Sequence, residues 1–193
     1  MSKKLILASS SPRRRDLLCT LGLTFTIIPA AVKEVPTLHE APRDFALRVA
    51  EKKALAIGNQ YPDAWVIGAD TVVAVEDEIL GKPRDREDAK RMLQRLSNKE
   101  HVVITGYVLM TVAEEKTIRG VEETRVKIAA LEEEEIAWYI NTGEPFDKAG
   151  GYAIQGQGAF MVEWIDGSYT NVVGLPLCQI TKHLKEARIA DIF

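Results

Sequence analysis

Three consecutive arginines, Arg13, Arg14 and Arg15, follow Ser9-Ser10-Ser11-Pro12 where a short apolar run, Lys4 to Ala8, gives way to a helical pattern. Ser11 reads as an N-cap, Pro12 as the first helical residue, and Leu17, Leu18 and Leu21 as the apolar face. A helix N-terminus carries about half a positive charge, so each arginine there is repelled by up to about 1 kcal/mol unless an anion sits among them. Backbone N–H groups, hydroxyls and guanidinium forks within one turn are the parts of a phosphate site. The alternative is an ordinary capped helix whose arginines snorkel into water.

Two further charges stand out against their surroundings. At about 100° per residue Lys53 falls in the middle of a stripe made by Ala46, Val49, Ala50 and Ile57, where an ammonium must snorkel or meet an anion. Lys52, nearer the solvated face, needs no such explanation. Asp70 sits between two apolar half-strands, Val66-Ile67-Gly68-Ala69 and Thr71-Val72-Val73-Ala74-Val75. Aspartate is a poor strand former, so it either marks a turn or projects into a polar cavity; the immediate return of the strand pattern favours the cavity. Glu34 is either a solvated loop acid or the second carboxylate, with Asp70, of a site for a hard divalent cation.

Other segments carry weaker signals on their own. Gly81-Lys82-Pro83 reads as a turn with a surface lysine, ahead of a helix begun by Asp85. Asp147 to Gly158 is glycine-dense, so its backbone can approach a ligand closely, but it has neither the GK[ST] ending of a Walker loop nor GxGxxG. His39, His101 and His183 share no metal-ligand spacing, and no GxSxG elbow is present, which disfavours zinc and serine-nucleophile chemistry.

The elements that must hold these groups alternate between two periods. Strands are expected at Lys4–Ala8, Thr24–Pro29, Trp65–Val75, Val102–Val112, Thr117–Ala129, Ala153–Ile154 and Ala159–Trp164, with a hairpin-like segment at Glu78–Leu80. Helical stripes are Ala46-Val49-Ala50-Ala54-Ile57, Ala89-Met92-Leu93-Leu96, Ile136-Tyr139-Ile140 and Leu177-Ile180-Thr181-Leu184, and the acidic run Glu132–Glu135 suits a first helical turn. The few residues between Val102–Val112 and Thr117–Ala129 imply an antiparallel pair, hence a mixed, largely antiparallel α/β protein rather than a doubly wound parallel one.

Composition bounds the function classes. With 193 residues, 46% hydrophobic and 27% charged, and no linker-like stretch, residues 1–193 are expected to form one globular domain. A formal net charge of −3 argues against a nucleic-acid-coating role, so any anion site must be local. The brief apolar run that follows two lysines within Met1 to Ala8 is too short for a signal-peptide core and no run approaches a membrane span, so the protein is expected to stay in the cytoplasm. Cys19 and Cys178, without paired spacing, are expected to be buried thiols in a reducing compartment.

Taken as a set, Leu7-Ala8-Ser9-Ser10-Ser11-Pro12-Arg13-Arg14, Ile67-Gly68-Ala69-Asp70-Thr71-Val72-Val73, Gly81-Lys82-Pro83, Asp147-Lys148-Ala149-Gly150-Gly151-Tyr152, Ile154-Gln155-Gly156 and Val173-Gly174-Leu175-Pro176 resemble the Maf family of nucleoside triphosphate pyrophosphatases. The resemblance implies a long mixed sheet flanked by helices, like that of the inosine triphosphatase relatives, with two lobes around a nucleotide cleft. It implies hydrolysis of a nucleoside triphosphate to monophosphate and pyrophosphate with a divalent metal, Mg2+ or Mn2+. Ser9, Arg13, Arg14, Lys53 and Lys82 would bind phosphate, Asp70 would be the general base, and Glu34 with Asp70 would hold the metal. The Asp-Lys-Ala-Gly and Ile-Gln-Gly segments are similar to the branch that prefers dTTP and UTP, in which Arg13, Thr71 and Gln155 would read the substrate, rather than to the branch that prefers 7-methyl-GTP.

The resemblance also implies a homodimer. Lys33, Asn98 and Gly151 depart from the family pattern, which has an acid, a glycine and an alanine there. Two rival classes remain at this point. One is a nucleotide-binding regulator of cell division or septum formation with little turnover; the other is a nucleic-acid-binding module, disfavoured by charge and by the lack of a basic-aromatic stripe.

Overall fold

A computed structural model describes residues 3–76 and 78–189. Its spine is a seven-stranded sheet in the order β2-β1-β3-β5-β6-β7, comprising β1 (Leu5–Leu7), β2 (Thr26–Ile27), β3 (Trp65–Val75), β5 (Glu100–Thr111), β6 (Lys116–Ile128) and β7 (Val162–Asp166), with β4 (Glu78–Leu80) also paired to β3. Strand β1 pairs in parallel with β2 and β3, and every other pairing is antiparallel. The mixed, largely antiparallel sheet is the one the sequence predicts. No described helix is long and apolar enough to cross a membrane.

Helix α2 (Pro42–Gly58) covers one face of the sheet, burying the predicted stripe against Val66, Val72, Ala74 and Val108. Two glycines let it lie unusually close. A Cβ on Gly68 would stand 2.3 Å from the Ala50 carbonyl oxygen, and one on Gly106 would stand 2.4 Å from the Ala46 carbonyl carbon. Gly106 is the register partner of Asp70, so the close approach falls where Lys53 can reach that carboxylate.

Two separate cores cover the opposite face. Over one half lie α1 (Pro12–Cys19) and α6 (Leu177–Glu186), packed with Trp65, Ile67 and Leu109. Over the other lie α3 (Arg86–Leu96) and α4 (Glu133–Asn141), packed with Val73, Val103 and Val126. A short helix, α5 (Tyr169–Val173), links the two, and β3 and β5 run beneath both.

The gap between these lobes coincides with a break along one edge of β3. Strand β1 pairs with Trp65–Ile67, β4 pairs with Val73–Val75, and β5 occupies the other edge throughout. Residues 68–72, Asp70 and Thr71 among them, therefore have no strand neighbour on the β1 side, because the chain leaves β1 through Ser9–Ser11 into α1.

Several expectations are corrected. Ala153–Ile154 is not a strand, and Ala159–Trp164 is split: a 3-10 segment, Gly156–Met161, precedes β7 at Val162. Gly156 has φ +72°, and the N–H groups of Gln157 and Gly158 donate to the Glu144 carboxylate, so this backbone is diverted from a sheet ladder. Leu21 lies beyond the end of α1 and packs against the first core only partly buried. Cys19 and Cys178 are exposed, each beside rather than on the buried row of its helix, with Leu17 and Leu18, and Ile180 and Leu184, taking the core positions.

Candidate active site

At the break in the β3 edge lies a cavity of about 330 Å³ lined from both lobes. Ser9, Arg13, Arg14, Glu34, Lys53, Asp70, Thr71, Lys82 and Gln155, drawn from segments far apart in sequence, all line it. Its interior is a cluster of charges. The Lys53 Nζ lies 2.7 Å from Asp70 Oδ1 and 2.6 Å from Glu34 Oε1. Lys53 and Asp70 are buried while Glu34 stands on the exposed side, so the lysine's place in the apolar stripe is explained by anionic partners rather than by snorkelling.

The electrostatics follow from burial and pairing. Desolvation pushes the Asp70 carboxyl above its usual range, with Lys53 and Arg14 opposing the rise. Desolvation also acts on Glu34, but there the hydrogen bond to Lys53 and the charges of Lys53, Lys82 and Arg14 prevail and hold the carboxyl below its usual range. Lys53 and Arg14 thus act on both acids, with Lys53 in direct contact with each carboxylate.

The three arginines have three different fates. Arg14 is buried: its Nε donates to the Gly174 carbonyl at 2.7 Å, and its terminal nitrogens donate to Thr71 Oγ1 at 2.9 Å and Ser9 Oγ at 3.2 Å. Burial pulls its pKa below the usual guanidinium value, with Asp70 and Glu34 opposing. Arg13 reaches across the cleft to Asp147 at 3.3 Å. Arg15 pairs with Asp16 at the surface, the snorkelling outcome. Ser11 does cap α1, its Oγ accepting from the Arg14 N–H at 3.5 Å.

The opposite wall is built by backbone. Gly150 N–H donates to the Gly81 carbonyl at 2.9 Å, tying the Lys82 turn to the glycine-dense segment. Gly150 has φ +70°, and a Cβ there would stand 3.0 Å from Val73, so glycine is required for the loop to sit against β3. Lys82 is exposed at the rim. Gln155 is exposed and opens the 3-10 segment.

Sequence reasoning missed several participants. Thr105 joins Thr71 Oγ1 to the Asn171 carbonyl, at 2.9 and 3.3 Å, and Asn171 is wholly buried. Lys148 also lines the cavity, donating to the Glu144 carbonyl at 2.8 Å and to Asp147. Thr105 gave no signal, being one β-branched residue in a strand run. Lys148 was visible inside a glycine-dense motif, without anything local to mark its direction.

The donor set can be tested against a divalent cation. Glu34 and Asp70 place carboxylate oxygens within 2.7 Å of one nitrogen, so both can reach a common cation. No group of three or more His, Cys, Asp or Glu among the described residues could hold a metal. Two carboxylates completed by water and phosphate oxygens suit Mg2+ or Mn2+ and not a closed structural site.

Comparison with known proteins gives three findings. A family model described as "Maf-like protein" matches residues 4–187. The chain is 48% identical over 184 residues to the dTTP/UTP pyrophosphatase of Geobacter metallireducens, covering 95% of this chain and 96% of the relative. It is 49% identical over 183 residues to that of Myxococcus xanthus, covering 95% and 92%. Among solved structures, a HAM1 protein from Coxiella burnetii aligns with a TM-score of 0.55 over 95% of this chain and 99% of that one, at 15% identity, a likeness of fold alone.

Proposed function

The chain belongs to the Maf family, and we infer that it is a dTTP/UTP pyrophosphatase, hydrolysing these nucleotides at the bond between the α- and β-phosphates to the monophosphate and pyrophosphate. The observation that carries the site assignment is the convergence of Lys53, Asp70 and Glu34 beside Arg14 at the break in β3, where no structural need calls for so many buried charges. Residues 1–193 are read as one catalytic domain acting in the cytoplasm as a homodimer.

A nucleoside triphosphate carries about four negative charges, so positive charge and positioning around the phosphorus under attack are the main catalytic needs. Arg14 supplies a guanidinium already fixed by Ser9, Thr71 and the Gly174 carbonyl, and so loses little freedom on meeting a phosphate. Lys53 and Lys82 approach from two other sides, and Arg13 exchanges Asp147 for a phosphate oxygen. Asp70 orients and deprotonates the attacking water; burial raises its basicity above that of an exposed aspartate. The water oxygen bonds to phosphorus, the anhydride oxygen leaves with the other product, and no covalent enzyme intermediate forms.

Glu34 and Asp70 would hold Mg2+ or Mn2+, which when bound offsets phosphate charge and lowers the pKa of water. Gln155 selects the base: its amide oxygen accepts from N3–H and its nitrogen donates to O4 of uracil or thymine. Cytosine reverses that pattern and would require a flipped amide. A partner such as Thr71 or Arg13, both of which line the same cavity, must fix the amide's orientation.

Product analysis tests the reaction class. Phosphorus NMR of UTP turnover with Mg2+ should show UMP and pyrophosphate from the first turnover. UDP with inorganic phosphate would overturn the assignment, and no turnover with either Mg2+ or Mn2+ would favour the regulator.

A further inference from the structure

Gln155 is an exposed side chain on a loop rich in glycine, and such a chain can discriminate between bases only if the backbone beneath it is fixed. The loop is pinned by one carboxylate. Glu144, in the short 3-10 turn Glu144–Asp147, accepts from Gln157 N–H at 3.0 Å, Gly158 N–H at 3.1 Å and the Tyr139 hydroxyl at 2.9 Å. Tyr139 is fully buried in the core of the second lobe, so the carboxylate is anchored on its far side to a rigid element. Residues 156 and 158 must be small for this to happen. A Cβ on Gly156, at φ +72°, would stand 2.7 Å from Glu144 Oε2, and one on Gly158 would stand 2.7 Å from both the Tyr139 hydroxyl and the Ala153 carbonyl oxygen.

Glu144 does not line the cavity, and none of these bonds is needed to hold the sheet together. They fix the two residues that follow Gln155 and Gly156. The same 3-10 turn also carries Asp147, the partner of Arg13, and its Glu144 carbonyl accepts from Lys148. We propose that Glu144 is the positioning residue for base selection: through the N–H groups of Gln157 and Gly158 it sets the Gln155 amide against the imide edge of a uracil or thymine base. This rests on the reading of Gln155 given above. Loosening the loop moves Gln155 off the partner that orients its amide, which can then flip and accept cytosine, so the expected result is lost discrimination and not lost phosphate chemistry.

The test is the ratio of kcat/KM for UTP to that for CTP, which is independent of the fraction of correctly folded enzyme. Glu144→Gln keeps the shape but turns a donor group towards one of the N–H or O–H donors it must receive, and should lower the ratio by about tenfold, scaled from an unpaired neutral group. Gln155→Ala should lower it at least as far, and the double variant should go no lower than Gln155→Ala alone. If Glu144→Gln fails to fold, Glu144→Asp, which withdraws the carboxylate by one methylene, should lower the ratio in the same direction. Equal losses for all nucleotides in the Glu144 variants would make the residue structural and overturn the proposal. So would an additive double variant. An unchanged ratio in Gln155→Ala would overturn the base-reading role of Gln155 and the proposal with it, whereas a fall in Gln155→Ala alone would overturn only the role of Glu144.

Discussion

Replacing Asp70 by asparagine separates chemistry from folding. The side chain is buried, its Oδ1 accepts from Lys53 at 2.7 Å, and the amide oxygen of asparagine can keep that bond. What is lost is the base, together with one of the two carboxylate charges facing Lys53. A general base contributes about 10²–10⁴-fold in rate, or roughly 3–5 kcal/mol of barrier, and the added loss of a charge points to the upper half of that range.

Stability should move differently. Because burial raises the folded-state pKa of Asp70, the folded protein binds the proton more tightly than the unfolded chain. The carboxyl's contribution therefore falls as pH rises from about 4 through the raised pKa, and at neutral pH the ionised form costs folding free energy. Metal-free Asp70→Asn should accordingly melt at or above the wild-type temperature at pH 7 while pyrophosphate release falls by at least 10²-fold. Melting curves and a coupled pyrophosphate assay give both numbers. A folded variant with near-normal turnover would refute the assignment of the base, and a large drop in melting temperature with proportionate loss of activity would make Asp70 structural.

Two further outcomes follow from named contacts. A triphosphate should raise the melting temperature of the wild type by binding the folded state, and Arg13→Ala and Lys53→Ala should each lose much of that shift; an undiminished shift in both would remove them from the phosphate site. Burial lowers the pKa of His101, whose Nε2 meets the Tyr152 hydroxyl at 2.6 Å, to about 4. Between about pH 6.5 and 4 only the unfolded chain takes up that proton, so stability should fall by up to about 3 kcal/mol as pH drops through this window, and His101→Gln should flatten that slope in denaturant titrations.

Long periodic elements were legible in the sequence because one residue in two, or one stripe in 3.6, faces a core. Strand β3 came out with the predicted bounds, and Lys53 and Asp70 were conspicuous because each breaks such a pattern. Asp70 could be assigned to a cavity but not paired with Lys53. That pairing depends on α2 lying against Gly68 and Gly106, and Gly106 in an apolar strand gives no sign of which helix approaches it. Glu34 was equally ambiguous, since its loop has no period and its role appears only where the chain folds back onto Lys53.

The segment from Ala153 to Met161 was misread for a related reason. Its apolar residues mimic strands, while its glycines and the carboxylate of Glu144, many residues earlier, decide its shape. Asn98, where the family pattern has glycine, has φ +55°, a left-handed conformation that asparagine tolerates better than most residues. The two exposed cysteines show the limit of composition: cysteine is usually buried, but helix phase decides each case.

The central claim, hydrolysis of dTTP and UTP in preference to other nucleotides, is tested most directly by kcat/KM across a panel of dTTP, UTP, CTP, ATP, GTP and 7-methyl-GTP, with Mg2+ or Mn2+ and pyrophosphate as the readout. A site that hydrogen-bonds the imide edge should favour dTTP and UTP over CTP and the purine nucleotides by at least about tenfold. Equal rates across the panel, or a preference for GTP or 7-methyl-GTP, would contradict it.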